Sequence, residues 1–251
     1  MFLDSKSRVL RENFIIDTDF GVIHEDESIL ILNKPSPLAV HPVGVYAQLN
    51  LHSILKNDLR WKDIPIHFAH RVDAETSGVI CATKNHEAAR FIGIEFLKSR
   101  VKKKYHALVF GNPKAPEGTI DLPLGLDKSS GFQTVRVVDH ENGEAAKTSY
   151  RVLWTNGGYS YLEITPETGR THQIRAHLSF IRHPIVGDKI YIDVEIFKRY
   201  VLNGLDAPML EQIKLPRLAL HATSLTFAHP GHKQEVTFQC DAPDFFKEVQ
   251  C

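Results

Sequence analysis

Apolar and polar positions alternate in short blocks along this chain, and the blocks read as strands joined by tight turns with a few helices between them. Val22-Ile23-His24 and Ile29-Leu30-Ile31-Leu32 are apolar runs separated by Glu25-Asp26-Glu27-Ser28, which reads as a hairpin turn. Asn33-Lys34-Pro35-Ser36-Pro37 ends the second run, because proline withdraws a ladder donor. Residues 38–60 read as a loop running into a short helix around His52-Ser53-Ile54-Leu55. Between 85 and 100, Ala88, Phe91, Ile92 and Phe96 fall on one face, which predicts a helix capped by Asn85. Tyr105 to Phe110 is rich in β-prone residues and stops at Gly111-Asn112-Pro113.

The second half carries more strands. Thr148 to Trp154 and Tyr159 to Thr165 flank Asn156-Gly157-Gly158, a hairpin signal. Thr171 to Arg182 reads as a helix, with Ile174, Leu178 and Ile181 on one face. Leu218 to Phe227 and Val236 to Gln239 read as the last strands. The gap between Gly111 and Lys147 predicts loops and small hairpins, and residues 193–215 form an insertion whose mixed pattern predicts no element. Strands that arrive in hairpins, with helices scattered between them, argue for an α+β fold. The expectation is a mixed, largely antiparallel sheet with flanking helices and a central catalytic cleft. Residues 1–20 are expected to be an N-terminal arm, and 21–251 one catalytic domain.

Composition narrows the class without fixing it. The hydrophobic fraction is 43%, ordinary for a globular protein, and the 30 basic residues balance 30 acidic ones. Zero net charge does not advertise a nucleic-acid binder, but a local basic stripe is enough, and Lys98, Arg100, Lys102, Lys103 and Lys104 supply one. The three cysteines, Cys81, Cys240 and Cys251, fit no zinc or redox spacing and indicate a reducing compartment. No apolar run reaches the length of a membrane span, and the N-terminus lacks a signal-peptide layout. The expected location is the cytoplasm, and nothing in the sequence demands an oligomer.

Two stretches could carry chemistry. His70-Arg71-Val72-Asp73-Ala74-Glu75-Thr76-Ser77-Gly78 sets a cation and two carboxylates beside a turn, and in an extended segment Arg71 and Asp73 share a face. A surface turn with a local ion pair is the plainer account of the same residues. Gly169-Arg170-Thr171-His172-Gln173-Ile174-Arg175-Ala176-His177-Leu178 opens the predicted helix, where His172 and Arg175, three apart, would be surface neighbours. Arg170 and Arg175 suit phosphate or a buried carboxylate, while a helix with a solvated polar face is the plainer account. A metal site at His172 and His177 is disfavoured, because a five-residue gap puts them on different faces.

The stretch from His70 to Gly78 resembles the active-site motif of the RluA-type RNA pseudouridine synthases. Other blocks agree in order: Asn33-Lys34-Pro35 with His41-Pro42; Lys103-Lys104-Tyr105-His106-Ala107-Leu108-Val109 with Gly111; Gly169 to Leu178 with His183-Pro184-Ile185-Val186-Gly187-Asp188; and Leu218-Ala219-Leu220-His221-Ala222 with Phe227-Ala228-His229-Pro230. Val72 and Ala74 depart from what relatives often carry, at positions that bear no carboxylate. Many relatives begin with an S4-type RNA-binding domain; residues 1–20 are too few for one, so a catalytic domain alone is expected.

The resemblance implies isomerisation of uridine to pseudouridine in structured RNA, ribosomal or transfer, with no cofactor and no metal. It implies Asp73 as the nucleophile, Arg175 as the cation that keeps it ionised, and Tyr105 packing on the target base and assisting proton removal. A target inside a stem must be extruded, and Arg71 resembles the residue that fills the vacated place. His70 is expected to orient the loop, and Leu218 or Leu220 to pack on the base. Lys102, Lys103, Lys104 and Arg170 are expected to bind phosphates. The alternatives are an RNA-binding module without catalysis and a metal-dependent hydrolase built on the fourteen histidines.

Overall fold

The computed structural model describes residues 2–3, 8–11 and 14–248. In chain order the elements are β1 (Phe2–Leu3), β2 (Arg8–Arg11), β3 (Phe14–Asp17), β4 (Gly21–Glu25), β5 (Ile29–Lys34), α1 (Leu51–Asn57), β6 (His67–Phe68), β7 (Ser77–Thr83), α2 (His86–Leu97) and β8 (Lys102–Phe110). Then come β9 (Glu117–Asp121), β10 (Leu124–Leu126), β11 (Arg136–Val138), β12 (Lys147–Asn156), β13 (Tyr159–Pro166), α3 (Gln173–Phe180), α4 (Val194–Asn203), α5 (Ala207–Ile213), β14 (Leu220–Ala228), β15 (Glu235–Gln239) and α6 (Phe245–Glu248). The chain divides into two compact units, 1–103 with 221–242 and 104–220 with 243–251.

In the first unit the strands run in the order β4-β5-β7-β14, with β15 on β14 and β6 on β7. The pairs are antiparallel except β7 with β14, which is parallel, so the sheet is mixed and largely antiparallel as expected. Leu30 and Leu32 of β5 and Ile80 and Ala82 of β7 face one core, with Leu38, Leu51, Leu55 and Trp61. Ile29, Ile31, Val79 and Cys81 face a second core, with Ile92, Leu225 and Phe227. Both strands are therefore buried on two faces, which is why they read as unbroken apolar runs rather than alternating ones. Within the stretch expected as an arm, β1, β2 and β3 pair antiparallel, and Ile16 is buried in the first core. The rest of that stretch that precedes β3, and Cys251, lie outside the described residues.

In the second unit β8-β13-β12-β9 form an antiparallel run, and β10 and β11 a separate hairpin. The hairpin predicted at Asn156-Gly157-Gly158 is present, and β9 to β11 fill the gap after Gly111. The insertion at 193–215 is two short helices, α4 and α5, capped by Asp193 and Asp206, that bury Ile196, Met209 and Ile213 against each other. No helix among the described residues is long and apolar enough to cross a membrane.

Candidate active site

Asp73 sits half-buried in the loop between β6 and β7, and the chain on either side of it is pinned. Downstream, Thr76 N–H donates to the Asp73 carbonyl at 3.0 Å and closes a turn. Leu38 N–H reaches the Ala74 carbonyl at 2.8 Å, and Ser36 Oγ donates to the Glu75 carbonyl at 2.7 Å. The fully buried ammonium of Lys34 donates to the carbonyls of Pro35 at 2.8 Å, Leu38 at 2.7 Å and Ala74 at 3.1 Å. Lys34 thus ties the end of β5 to the residue after the aspartate. Buried carbonyls and an ammonium must be satisfied somewhere, and this arrangement satisfies both.

Upstream, the His70 ring stacks on Phe96 with centroids 4.6 Å apart, and its Nε2 accepts the Cys81 N–H at 3.0 Å. Burial, with the Lys103 charge in support, pushes the imidazole pKa down to about 3. A neutral acceptor is what this bond requires, and through it the His70 side chain is tied to β7. Arg71 is exposed and belongs to no strand or helix.

The far end of the motif is fixed by β14. Ser77 pairs with His221 and Gly78 with Ala222 in the parallel register. Gly78 has φ +107°, and a Cβ there would lie 2.2 Å from the Ala222 carbonyl oxygen, so the backbones meet where only glycine fits. Ser77 Oγ lies 2.8 Å from His221 Nδ1, and His221 Nε2 lies 3.1 Å from Cys240 Sγ, a buried polar chain spanning three strand ends.

In the second unit, Arg175 grips Asp188. Its Nε donates to Oδ2 at 2.7 Å and its Nη2 to Oδ1 at 2.9 Å, which commits two guanidinium nitrogens to one carboxylate. Asp188 Oδ1 also accepts the N–H groups of Ile190 and Tyr191 at 2.9 and 3.0 Å. Burial alone would raise the Asp188 pKa; the Arg175 charge and these hydrogen bonds outweigh it and hold the pKa below the ordinary carboxylate value. Gly187, at φ +80°, lets the chain pass the Arg217 carbonyl, 1.9 Å from where a Cβ would stand.

The helix differs from expectation. It begins at Gln173, and His172 is its left-handed N-cap at φ 55°, so His172 and Arg175 are not neighbours on a helix face. Nor is the polar face solvated: Gln173, Arg175 and His177 are all buried. Gln173 Oε1 accepts from Thr168 Oγ1 and Arg170 N–H at 2.7 and 3.0 Å, while its Nε2 donates to the Lys147 carbonyl at 2.9 Å. His177 Nδ1 meets Thr148 Oγ1, and its Nε2 the Leu122 carbonyl, both at 2.9 Å. The polar residues bind β12 and the β9–β10 turn, which fixes the orientation of the helix that carries Arg175.

The remaining candidates divide. Tyr105 is half-buried in β8, opposite Ile164 of β13. Leu218 and Leu220 are both buried, so burial does not choose between them. Their segment is held where Leu108 N–H donates to the Ala219 carbonyl at 3.1 Å and Ala219 N–H to Val186 at 2.9 Å. The basic stripe carries acidic partners: Lys102 pairs with Glu235 at 2.9 Å and Lys104 with Glu163 at 3.1 Å. Lys103 is half-buried, and burial lowers its pKa. Arg170 pairs with Glu144 at 2.7 Å and donates to the Ala145 carbonyl at 3.1 Å. Exposed pairs of this kind contribute about 0–1 kcal/mol. Sequence reasoning assigned no role to Lys34, Asp188 or His221. The signals were a lysine ending an apolar strand and an aspartate directly after a glycine, both inside the motif blocks.

Residues 28–180 match the family described as RNA pseudouridylate synthase. An uncharacterised RNA pseudouridine synthase of Chloroflexus aurantiacus is 37% identical over 214 residues, which is 82% of this chain and 61% of that protein. The dual-specificity RNA pseudouridine synthase RluA of Escherichia coli is 33% identical over 223 residues, covering 88% of this chain and 92% of the relative. The solved structure of the human protein RNA Pseudouridylate Synthase Domain Containing 4 has the same fold, with a TM-score of 0.70, 29% identity and 90% of each chain covered. The family match runs through the Asp73 loop and the Arg175 helix alike, and it places this chain in the RNA pseudouridylate synthase family.

Proposed function

We propose that this RNA pseudouridine synthase uses Asp73 as the nucleophile on a uridine extruded from structured RNA, ribosomal or transfer. In the reaction the glycosidic N1–C1′ bond breaks and a C5–C1′ bond forms. The C5 proton leaves and N1 gains one, so there is no net redox change. The observation that carries the assignment is the fixing of the Asp73 loop on both sides, by His70 and Thr76 and by the buried Lys34. A nucleophile attacks faster when its approach is set in advance. Arg175, aimed by Asp188, serves as the cation that keeps the nucleophile ionised, because a carboxylate leaving water otherwise takes up a proton. Tyr105 packs on the base and assists removal of the C5 proton, with Leu218 or Leu220 against the other side. Arg71 enters the stack the uridine leaves, offsetting part of an extrusion cost of about a few kcal/mol. Lys102, Lys103, Lys104 and Arg170 engage phosphates. The protein acts as a monomer in the cytoplasm and needs no cofactor.

The test is pseudouridine mapping in total RNA from cells lacking the gene, after incubation with the purified protein or its Asp73→Asn variant. The parent protein should add pseudouridine at discrete positions and the variant at none. Turnover by the variant within about tenfold of the parent, roughly 1.4 kcal/mol of barrier, removes Asp73 from the role.

A further inference from the structure

We propose that His41, backed by His52 and Phe68, is a stacking shelf for an unpaired nucleobase next to the target uridine. The proposal rests on the synthase reading above and adds a subsite to it. The His41 ring lies 5.7 Å from the Phe68 ring at 87° and 6.0 Å from the His52 ring at 41°, and His52 and Phe68 are 6.4 Å apart. The back of the cluster is anchored, because Phe68 packs on the core that holds Leu51, Leu55 and Trp61. Its two histidines are held together by the backbone: His52 N–H donates to the Val40 carbonyl at 3.0 Å, one residue before His41. Asn50 caps the helix that presents His52, through a reciprocal bond pair with Ser53. The cluster is therefore built, and it is left open, since His41 is exposed.

Two features point to a base as its occupant. Among the described residues neither imidazole takes a hydrogen bond from the protein, so the rings offer faces rather than a satisfied polar network. Burial, then the charges of His52 and Arg71, hold the His41 pKa below the ordinary imidazole value. A neutral ring stacks on a base but does not pair with a phosphate. Arg71 is close enough for its charge to be felt at His41, and it stands two residues before Asp73. Guanidinium planes and aromatic rings are the two surfaces on which splayed RNA bases stack. Extrusion of the target uridine strips its neighbours of a stacking partner at that spot.

The test measures binding of fluorescein-labelled single-stranded oligo(U) to the Asp73→Asn protein, which removes turnover, with and without His41→Ala. The variant should bind about tenfold more weakly, a loss of about 1.4 kcal/mol within the range for one stacked base, with an unchanged salt slope. His41→Phe should restore affinity. An unaltered Kd for His41→Ala, a loss that comes with a shallower salt slope and survives in His41→Phe, or no saturable oligo(U) binding by the parent each overturn the shelf. Pseudouridine mapping with the unmutated protein separates the two claims. Absence of product alongside His41-dependent stacking would remove the synthase reading and leave the shelf standing; product without His41 dependence does the reverse.

Discussion

Arg175 and Asp188 form a two-pronged ion pair, Nε to Oδ2 at 2.7 Å and Nη2 to Oδ1 at 2.9 Å, with the carboxylate fully buried and the arginine side chain nearly so. Such a pair contributes little net stability over an apolar equivalent, yet removing one charge costs about 3–5 kcal/mol. Its use is geometric. Asp188 fixes the plane of the guanidinium, and the N–H groups of Ile190 and Tyr191 fix Asp188.

Asp188→Asn should therefore lower unfolding stability by about 3 kcal/mol in urea titration, and should slow single-turnover pseudouridine formation even at saturating RNA. The pH dependence has a definite sign. The folded pKa of Asp188 lies below its ordinary 3.8, so its stabilising contribution is complete above that value and is lost as pH falls below it. The variant should lack this part of the acid transition. An Asn variant with parental stability and rate would show that Asp188 does not aim Arg175.

Lys34 makes a second prediction. Lys34→Met keeps the length of the side chain and removes the donor to the Pro35, Leu38 and Ala74 carbonyls. An unsatisfied buried acceptor costs about 1–3 kcal/mol, and Leu38 N–H still serves Ala74, so a loss of about 3 kcal/mol in total is expected. Hydrogen exchange at Thr76, whose N–H closes the Asp73 turn, should speed up as well. Stability and exchange that both match the parent would show that the clamp does not hold the loop.

Much of this was legible in the sequence, for a physical reason. Strands in this fold arrive as hairpins, and turn residues such as Asn156-Gly157-Gly158 mark them. The doubly buried strands announce themselves as apolar runs. The helix of Arg175 misled, because Gln173, Arg175 and His177 look like a solvated face when only period and polarity are read. Their partners, Thr148, Thr168, Asp188 and the Leu122 carbonyl, are 5 to 55 residues away in sequence, and pairing over such distances leaves no local signature. The two helices within 193–215 escaped for a related reason: they bury only Ile196, Met209 and Ile213, too few positions to set a period. In the Asp73 motif the residue types fitted a surface turn as well as a site, and the roles of Gly78 and Ser77 depend on β14, a strand from the far end of the chain.

His70 should stay neutral through the physiological range. Its folded pKa of about 3 lies below the ordinary 6.5, so the folded protein resists protonation that the unfolded chain accepts. The contribution to stability is complete above pH 6.5 and is lost as pH falls from there toward 3. Histidine ring resonances followed by NMR should show His70 flat between about pH 8 and 5, where an unperturbed imidazole titrates. A midpoint near 6.5 would mean that Nε2 is not a committed acceptor for Cys81.

Ser77 and Gly78 are adjacent in the motif and should respond to alanine in different ways. Ser77→Ala removes the 2.8 Å bond to His221 Nδ1 and leaves the backbone geometry as it is, for about 1–2 kcal/mol. Gly78→Ala adds one methyl group, but at φ +107° and 2.2 Å from a carbonyl oxygen that belongs to a paired strand. No side-chain rotamer can relieve that contact, so the backbone must move. Strain at such a φ costs about 1–3 kcal/mol and overpacking about as much again, which predicts a loss above about 3 kcal/mol. The parallel register of His221 with Ser77 and Ala222 with Gly78 would have to open, and with it the end of the loop that carries Asp73. Urea unfolding of the two variants in parallel gives the ranking. Single-turnover kinetics at saturating RNA should follow it, with Ser77→Ala mildly slowed and Gly78→Ala far slower. If the two variants are equally stable, or if Gly78→Ala is the milder, close approach to β14 is not what fixes glycine at this position.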